Sequence, residues 1–245
     1  MKRRGKLYGL GVGPGDLELI TLKAIRILKE VDIVFASSSS GNEYSLALQI
    51  VRPHLSEKTP IRRLPFPMTM EEGKLKEAWR ANAGEVIKEL YQARDAAFVT
   101  IGDPLTYSTY GYLVREVQRQ APETAIETIP GITSYQAAAA SANVPLVEAE
   151  ESLYITSGRR GGQNLPLAAK IAENIVLLKA YRHFEEIYPI LEKLEMVDKT
   201  RGFIKCGLPG EEIIPDIREM REKTPHYLTL LLAKEKGLGK KEGEG

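Results

Sequence analysis

Gly9-Leu10-Gly11-Val12-Gly13-Pro14-Gly15-Asp16 is the stretch that decides the fold of this chain. It overlaps a short apolar run at residues 7–12, which predicts a strand, and it precedes Thr21, which can cap a helix extending to about Glu30. A strand, a glycine-rich turn and a helix in this order are typical of α/β sheets. Glycines in such a turn let backbone amides approach a ligand, but a tight turn without a ligand explains them equally well.

Ile101-Gly102-Asp103-Pro104 repeats this pattern further along the chain. It ends an apolar run at residues 96–101 and precedes a stretch of helical character. Asp103 therefore lies just past a buried strand, where open α/β sheets place ligand-binding groups. The structural alternative is that Asp103 only starts a turn or caps the helix. A binding surface is favoured by the hydroxyl-rich residues that follow, which are Thr106, Tyr107, Ser108, Thr109 and Tyr110.

Pro130-Gly131-Ile132-Thr133-Ser134 is a third turn of this kind, after a predicted strand at residues 125–129 and before an alanine-rich helix. Thr133 can be the N-cap of that helix, which is a structural role. Three strand-to-helix turns with accessible backbone together predict a small-molecule site built on an α/β sheet.

Strands and helices alternate along the whole chain, and Pro122 with its neighbours is the best candidate for a domain boundary. Helices of about ten residues between strands imply crossover connections and a largely parallel sheet in each half. We therefore predict two α/β domains, residues 1–122 and 123–236, and a flexible tail of glycine and charged residues at 237–245. The predicted strands are 7–12, 33–36, 61–64, 96–101, 125–129, 153–156, 175–179, 203–206, 212–214 and 227–233.

Composition and charge restrict the class of protein. The chain has 245 residues, of which 43% are hydrophobic, enough for an ordinary core. Its 34 Lys and Arg residues balance 33 Asp and Glu residues, which argues against a general nucleic-acid binder. The single Cys206 excludes an intramolecular disulfide and suits a reducing compartment. The basic start lacks the apolar core of a signal peptide, and no apolar run could cross a bilayer, so we expect a cytoplasmic protein that enters no membrane.

Several common chemistries have no candidate residues. His54, His183 and His226 are far apart and lack the spacing of metal ligands, so we predict no metal site. No G-x-S-x-G nucleophile elbow occurs, and Cys206 has no evident base partner. The first turn reads G-x-G-x-G with Pro14 inside it, unlike the G-x-G-x-x-G of dinucleotide-binding proteins. A nicotinamide-dependent dehydrogenase is therefore a poor interpretation.

The turns, taken in order, resemble the tetrapyrrole (corrin/porphyrin) methylase family over residues 7–234. The segments that carry the resemblance are Leu7-Tyr8-Gly9-Leu10-Gly11-Val12-Gly13-Pro14-Gly15-Asp16, Leu19-Ile20-Thr21-Leu22-Lys23-Ala24, Gly102-Asp103-Pro104 and Pro130-Gly131-Ile132-Thr133-Ser134. Four separate motifs in the family's order are a specific match, whereas each alone would be weak. Two segments are similar to the branch that methylates C20 of precorrin-2 or cobalt-factor II, namely Gly102-Asp103-Pro104-Leu105-Thr106-Tyr107-Ser108-Thr109 and Tyr227-Leu228-Thr229-Leu230-Leu231.

The resemblance implies a class III methyltransferase fold, a cleft between two α/β domains that binds S-adenosylmethionine in a folded conformation, and a homodimer. The cofactor contacts implied by motif are Pro14, Ile101, Gly102, Asp103, Thr106, Thr133 and Ser134. Further contacts, implied by strand order, are Leu178, Gly207, Leu228 and Thr229. Ile101 departs from the family, which often has a small residue there, and the turn around Gly207 is only loosely similar to the family's turn.

The implied reaction is methylation of a reduced tetrapyrrole at C20, which gives precorrin-3 or cobalt-factor III in cobalamin biosynthesis. The ring carbon is already electron-rich, so the protein contributes mainly orientation and exclusion of water. A proton must later leave this carbon, and we hypothesise that the catalytic residues near it are Asp103, Tyr107 and Tyr110. The substrate is polycarboxylated, and the arginines that could bind its carboxylates, unless they are ordinary solvated charges, are Arg52, Arg62, Arg63, Arg159, Arg160 and Arg182.

Two other interpretations stay open. The chain could be a relative that methylates a different ring carbon, or one that modifies RNA or a protein side chain, and the residues after Asp103 with the basic lining distinguish these. A non-catalytic α/β module that binds a nucleotide is a different class, and turnover of S-adenosylmethionine with a reduced tetrapyrrole separates it from an enzyme.

Overall fold

The computed structural model describes residues 3–38, 45–69, 71–222 and 226–238. The chain divides into two compact units, Met1–Thr133 and Ser134–Gly245. Each unit contains a five-stranded sheet with helices, so the prediction of two α/β domains is confirmed. Each predicted strand overlaps an observed one. Within the described ranges, no helix combines the length and the apolar character that a membrane-crossing segment needs.

The first unit is built on one parallel sheet. Its strands are β1 (Leu7–Gly11), β2 (Ile33–Ser38), β3 (Ile61–Pro65), β4 (Ala96–Thr100) and β5 (Ile126–Ile129), and its helices are α1 (Leu22–Glu30), α2 (Leu46–Val51), α3 (Glu72–Tyr91) and α4 (Tyr110–Gln120). The strand order is β3-β2-β4-β1-β5, and every neighbouring pair is parallel. The carboxyl ends of all five strands therefore lie at one edge, where parallel sheets bind ligands.

Helices cover both faces of this sheet. On one face α1 and α2 pack over Leu10, Val34 and Val99, and on the other α3 and α4 pack over Phe35 and Phe98. All five of these side chains are buried, and burial of each stabilises the fold by about 1.5–3 kcal/mol. Because neither face is solvated, β4 is an almost continuous apolar run instead of an alternating one.

The second unit contains a mixed sheet. Its strands are β6 (Leu153–Ser157), β7 (Asn174–Leu178), β8 (Thr200–Ile204), β9 (Glu212–Ile214) and β10 (Thr229–Lys234), and its helices are α5 (Ser134–Ser141), α6 (Leu165–Ile171) and α7 (Phe184–Lys193). The order is β6-β7-β10-β8-β9, and only β6 and β7 are parallel. The prediction of a largely parallel sheet is thus wrong for this half. A short 3-10 helix, Ile217–Arg221, lies between β9 and β10.

The division between the units follows Thr133, whereas the predicted boundary is at residue 122. The difference arises because β5 pairs with β1, from Leu7 opposite Ile126 to Leu10 opposite Ile129, and so belongs to the first sheet. Leu238, the second residue of the predicted flexible tail at 237–245, is buried. Residues 239–245 lie outside the described residues.

Candidate functional site

The turns after β1 and β4 are joined by backbone hydrogen bonds at the carboxyl edge of the first sheet. The Val12 amide donates to the Thr100 carbonyl at 3.0 Å, and the Gly102 amide donates to the Gly13 carbonyl at 2.7 Å. Gly13 and Gly102 form an isolated antiparallel bridge there. Both have positive φ, +79° and +70°, which glycine adopts without steric cost. The two turns therefore form one continuous surface, with Pro14 buried within it.

The turn after β5 packs directly on these two. A Cβ atom on Gly11 would lie 2.6 Å from the Gly131 amide nitrogen and 2.7 Å from the Gly102 carbonyl oxygen, and one on Gly131 would overlap the same oxygen. Only glycine allows backbones to approach this closely. The three turns singled out by sequence thus converge at one edge of one sheet, although the predicted boundary at residue 122 had assigned the third turn to the second domain.

Asp103 ties the second turn to the third. Its Oδ1 accepts hydrogen bonds from the Leu105 amide at 2.9 Å and the Thr106 hydroxyl at 3.2 Å, and its Oδ2 accepts one from the Gly131 amide at 3.2 Å. The turn-forming role considered for Asp103 is therefore real, but the carboxylate also spans two loops. A carboxylate has about four acceptor positions, and contacts among the described residues occupy three of those of Asp103, which leaves one on Oδ2 for a ligand.

The structure separates the two tyrosines proposed for catalysis. Tyr107 is 49% exposed at the rim of this edge, with φ of +50°. Tyr110 is 0% exposed, and its hydroxyl lies 2.9 Å from that of Thr128. A Cβ atom on Gly9 would overlap the Tyr110 ring, so glycine at that position of β1 makes room for it. Burial raises the pKa of Tyr110, although the hydrogen bond with Thr128 opposes this. Tyr110 is therefore packed in the core, whereas Tyr107 is exposed.

Thr133 and Ser134 stand at the junction of the units. Thr133 is buried at the end of the first unit, and Ser134 is the first residue of α5 in the second. Ile101 and Thr106 are partly buried in the second turn, beside Gly102. The first unit therefore holds all but one of the cofactor contacts that the motifs implied.

The four remaining predicted contacts share an edge of the second sheet. Because β10 is antiparallel to β7 and β8, its first residues lie beside the last residues of both: Leu178 pairs with Leu230, and Ile204 with Thr229. The Lys205 amide donates to the Leu228 carbonyl at 2.9 Å, which holds the next turn against β10. The structure thus brings together four residues that had been predicted as cofactor contacts only from the order of the strands.

Glu211 fixes the turn that contains Gly207, and sequence reasoning missed it. One carboxylate oxygen accepts from the Gly207 amide at 2.9 Å, and the other accepts from the Ser141 hydroxyl, at the end of α5, at 2.6 Å. Gly207 has a φ of +72°, so this turn needs its glycine. No local sequence pattern predicts this contact, because Ser141 and Glu211 are far apart in the sequence.

Cys206 and His226, to which the sequence analysis assigned no catalytic role, have structural roles. Burial raises the pKa of Cys206 to about 12, with Glu211 adding to the effect, so the thiol stays protonated. His226 accepts from the Leu228 amide at 3.1 Å, and burial, with the nearby charge of Lys205, lowers its pKa. Within the part of the chain that the structure describes, no three His, Cys, Asp or Glu side chains form a group that could hold a metal ion.

The six arginines proposed to bind substrate carboxylates are not equivalent. Arg62 is 2.9 Å from the buried carboxylate of Glu89 and 3.3 Å from that of Glu85, so its charge is already compensated within the first unit. Arg94 also binds Glu89, at 2.7 Å. Arg52, Arg63, Arg159, Arg160 and Arg182 have exposed side chains, and the last three lie in the second unit.

The fold of both units defines the class of protein. The crystal structure of a cobalt precorrin-4 methyltransferase, a cobalamin biosynthetic enzyme, matches with a TM-score of 0.74 and 21% identity, and the match covers 94% of each chain. The chain therefore has the fold of the methyltransferases that act on tetrapyrroles.

This chain belongs to the Tetrapyrrole (Corrin/Porphyrin) Methylases, whose family model matches residues 6–219. A Methanocaldococcus jannaschii protein named a probable cobalt-precorrin-2 C(20)-methyltransferase is 40% identical over 232 residues, 94% of this chain and 96% of its own length. The Salmonella typhimurium cobalt-precorrin-2 C(20)-methyltransferase is 32% identical over 233 residues, 94% of this chain and 97% of its own. The resemblance inferred from the turns is confirmed.

Proposed function

We propose that this chain is an S-adenosylmethionine-dependent methyltransferase that methylates C20 of cobalt-precorrin-2 in cobalamin biosynthesis. The similarity to two cobalt-precorrin-2 C(20)-methyltransferases over almost the whole chain supports the substrate. The observation that carries the proposal is the convergence of three glycine turns at one sheet edge, where backbone groups and one carboxylate position are open to a ligand.

The residues of the first edge fit the methyl donor. An added Cβ on Gly102 would meet no atom within 4 Å, so the backbone there faces open space. The remaining acceptor position of Asp103 suits a ribose hydroxyl or an amino group. We propose donor contacts for Pro14, Ile101, Gly102, Asp103, Thr106 and Thr133 in the first unit and, in the second, for Ser134, Leu178, Gly207, Leu228 and Thr229.

The bound donor supplies a methyl group carried on a positively charged sulfur. The chain's own contribution is to fix the position of both reactants, which can lower a barrier by about 7–11 kcal/mol in favourable cases. Asp103 holds two of the turns in register, so it acts as a positioning residue as well as a donor contact. Tyr107 and Asp103 are the groups of the predicted catalytic set that lie near the surface, and we propose that the proton of the methylated carbon is transferred to water beside Tyr107.

The proposed function is tested by incubating the purified full chain with S-adenosylmethionine carrying a labelled methyl group and with cobalt-precorrin-2 or precorrin-2. We expect one methyl group to be added at C20, located by NMR, with cobalt-precorrin-2 preferred. Methylation of another ring carbon would replace C20 as the assigned position. Binding of S-adenosylmethionine without turnover of either tetrapyrrole would leave only a nucleotide-binding module.

Gly102→Ala tests the donor position. We expect the dissociation constant for S-adenosylhomocysteine to rise about tenfold, because the new methyl group enters the space assigned to the donor. The left-handed backbone also costs about 1 kcal/mol of stability. Gly237→Ala is the matched control, since Gly237 has a φ of +79° and no atom within 4 Å of an added Cβ. Calorimetric titration of both variants measures the dissociation constant for S-adenosylhomocysteine. A wild-type value in Gly102→Ala would show that the donor binds elsewhere.

Replacing each tyrosine by phenylalanine separates a catalytic from a structural role. We expect Tyr107→Phe to lower kcat by about 10²-fold, the lower range for acid–base groups, and to leave the thermal unfolding temperature unchanged. Tyr110→Phe removes one buried hydrogen bond to Thr128 and should cost about 1 kcal/mol of stability with kcat unaffected. A wild-type kcat in Tyr107→Phe would remove this residue from the mechanism.

We propose in addition that the enzyme works in the cytoplasm as a homodimer, as the family resemblance implies. A single, buried free cysteine is compatible with a reducing compartment. Light scattering coupled to size-exclusion chromatography measures the mass, and a monomer at micromolar concentration would contradict the dimer.

A further inference from the structure

Three segments of the second unit meet at the edge where β6 and β7 end and β10 begins. They are the 3-10 helix Gly158–Arg160, residues 179–183 and residues 226–228. A Cβ atom on Gly158 would lie 3.0 Å from the Ala180 Cα, so the first two segments are in backbone contact. The Ala180 amide donates to the Thr229 carbonyl at 3.3 Å, which joins the second to the start of β10.

These segments carry a concentration of positive and aromatic side chains, which we call the basic–aromatic cluster: Arg159, Lys179, Tyr181, Arg182 and Tyr227. The rings of Tyr181 and Tyr227 meet edge to face with centroids 5.2 Å apart. The guanidinium carbon of Arg182 lies 5.5 Å from the Tyr181 ring centre. The cluster is therefore an ordered patch on an edge of the sheet.

The positive charges of the cluster act on one another. Burial lowers the pKa of the Lys179 ammonium group, and the charge of Arg159 lowers it further. Partial burial and Tyr181 raise the pKa of the Tyr227 hydroxyl, while Arg159 and Arg182 oppose this rise. Lys179 also has a left-handed backbone, with φ of +58°, which is costly for a lysine. Cations held this close together lower stability unless an anion offsets them.

The chain itself supplies little such compensation. Lys179 has a contact of its own within the chain. Among the described residues, however, no carboxylate lies within ion-pairing distance of Arg159 or Arg182, in contrast to Arg62 with its two glutamates. The acids nearest in sequence begin α7, and Glu186 is held by the His183 ring at 2.7 Å. A guanidinium group presents a planar fork of donors that matches a carboxylate, and a tyrosine ring packs on an aliphatic chain.

We propose that the basic–aromatic cluster binds a carboxylate on an acetate or propionate arm of the tetrapyrrole, through the charges of Arg159, Lys179 and Arg182. Tyr181 and Tyr227 pack against the methylene groups of that arm. The assignment rests on the proposed function, which supplies a polycarboxylated substrate. It adds a lysine and two tyrosines that the sequence had not suggested, and it ranks Arg182 and Arg159 above Arg62 for this role.

The methyl donor also carries a carboxylate, so the test measures both ligands. Lys179→Met and Arg182→Gln are compared with Arg221→Gln, a matched control in which an arginine of the same unit packs on the ring of Tyr188 at 4.7 Å. Uroporphyrin III serves as a stable polycarboxylated probe followed by fluorescence quenching, S-adenosylhomocysteine binding is followed by calorimetry, and KM and kcat are measured with cobalt-precorrin-2.

We expect each cluster variant to bind uroporphyrin III about tenfold more weakly and to raise KM with kcat nearly unchanged. Binding of S-adenosylhomocysteine and the unfolding temperature should match those of Arg221→Gln. If only the binding of S-adenosylhomocysteine became weaker, the cluster would belong to the donor site and the proposal would be overturned. A wild-type KM in the cluster variants would also overturn it. So would a lowered unfolding temperature accompanied by equal losses of affinity for both ligands. Wild-type protein that methylates neither tetrapyrrole would instead refute the proposed function, and the cluster assignment with it.

Discussion

Gly131→Ala is expected to lower the free energy of unfolding by about 3 kcal/mol and to abolish measurable binding of S-adenosylhomocysteine. The added Cβ would overlap the carbonyl oxygen of Gly102 and lie 2.8 Å from the Cα of Gly11. Both neighbours are backbone atoms of strand ends or turns, so no side chain can move aside. The clash must separate the turns, and it also displaces the Gly131 amide from Asp103. Urea denaturation and calorimetric titration measure the two effects.

Gly84→Ala is the control for this prediction. Gly84 lies in the middle of α3 in the same unit, and an added Cβ would meet nothing within 4 Å. Alanine there should raise stability by about 0.5–1 kcal/mol, because glycine is a poor helix former. If Gly131→Ala kept wild-type stability and affinity, the close packing of the three turns would not be what forms the ligand-binding edge.

The convergence of the first two turns was predictable because it follows from chain direction. Parallel strands place their carboxyl ends at one edge, so the turns after β1 and β4 had to lie near one another. The third turn had been assigned to the second domain, and the pairing of β5 with β1 is what brings it to this edge. The sequence also identified Asp103 as the acid of that edge. It could not show that its Oδ2 reaches the Gly131 amide, since that contact depends on how two loops pack in space.

The errors arose where non-local packing overrides local pattern. Tyr110 belongs to the same hydroxyl-rich segment as Tyr107, but the absence of a side chain on Gly9 leaves space in the core that the Tyr110 ring fills. The direction of β10 could not be predicted from the sequence either, because an apolar strand has the same pattern in both directions. Its antiparallel position between β7 and β8 is what brings Leu228 beside Lys205.

Lys234→Met is expected to lower the free energy of unfolding by about 3 kcal/mol, because it breaks a buried ionic network. The Lys234 side chain is 6% exposed, and its Nζ donates to the Pro145 carbonyl at 2.7 Å and lies 3.6 Å from the Glu151 carboxylate. Methionine fills similar space but leaves that carbonyl without its donor. Lys236→Met is the control: Lys236 is 2.8 Å from the same carboxylate but 73% exposed, and exposed pairs contribute about 0–1 kcal/mol.

The carboxylate of Glu151, in the same network, makes the free energy of unfolding depend on pH in acid solution. Lys236 and Asn174, with smaller contributions from neighbouring groups, lower the pKa of Glu151 from 4.5 to about 2. Its folded-state pKa is below its unfolded value, so its stabilising contribution is complete above pH 4.5 and is lost as the pH falls toward 2. Glu151→Gln should therefore be less stable than wild type at pH 7 and show a flatter loss of stability between pH 4.5 and 2. Equal slopes in the two proteins, measured by urea denaturation at each pH, would show that Glu151 keeps an ordinary pKa and that its contacts with Lys236 and Asn174 do not stabilise the fold.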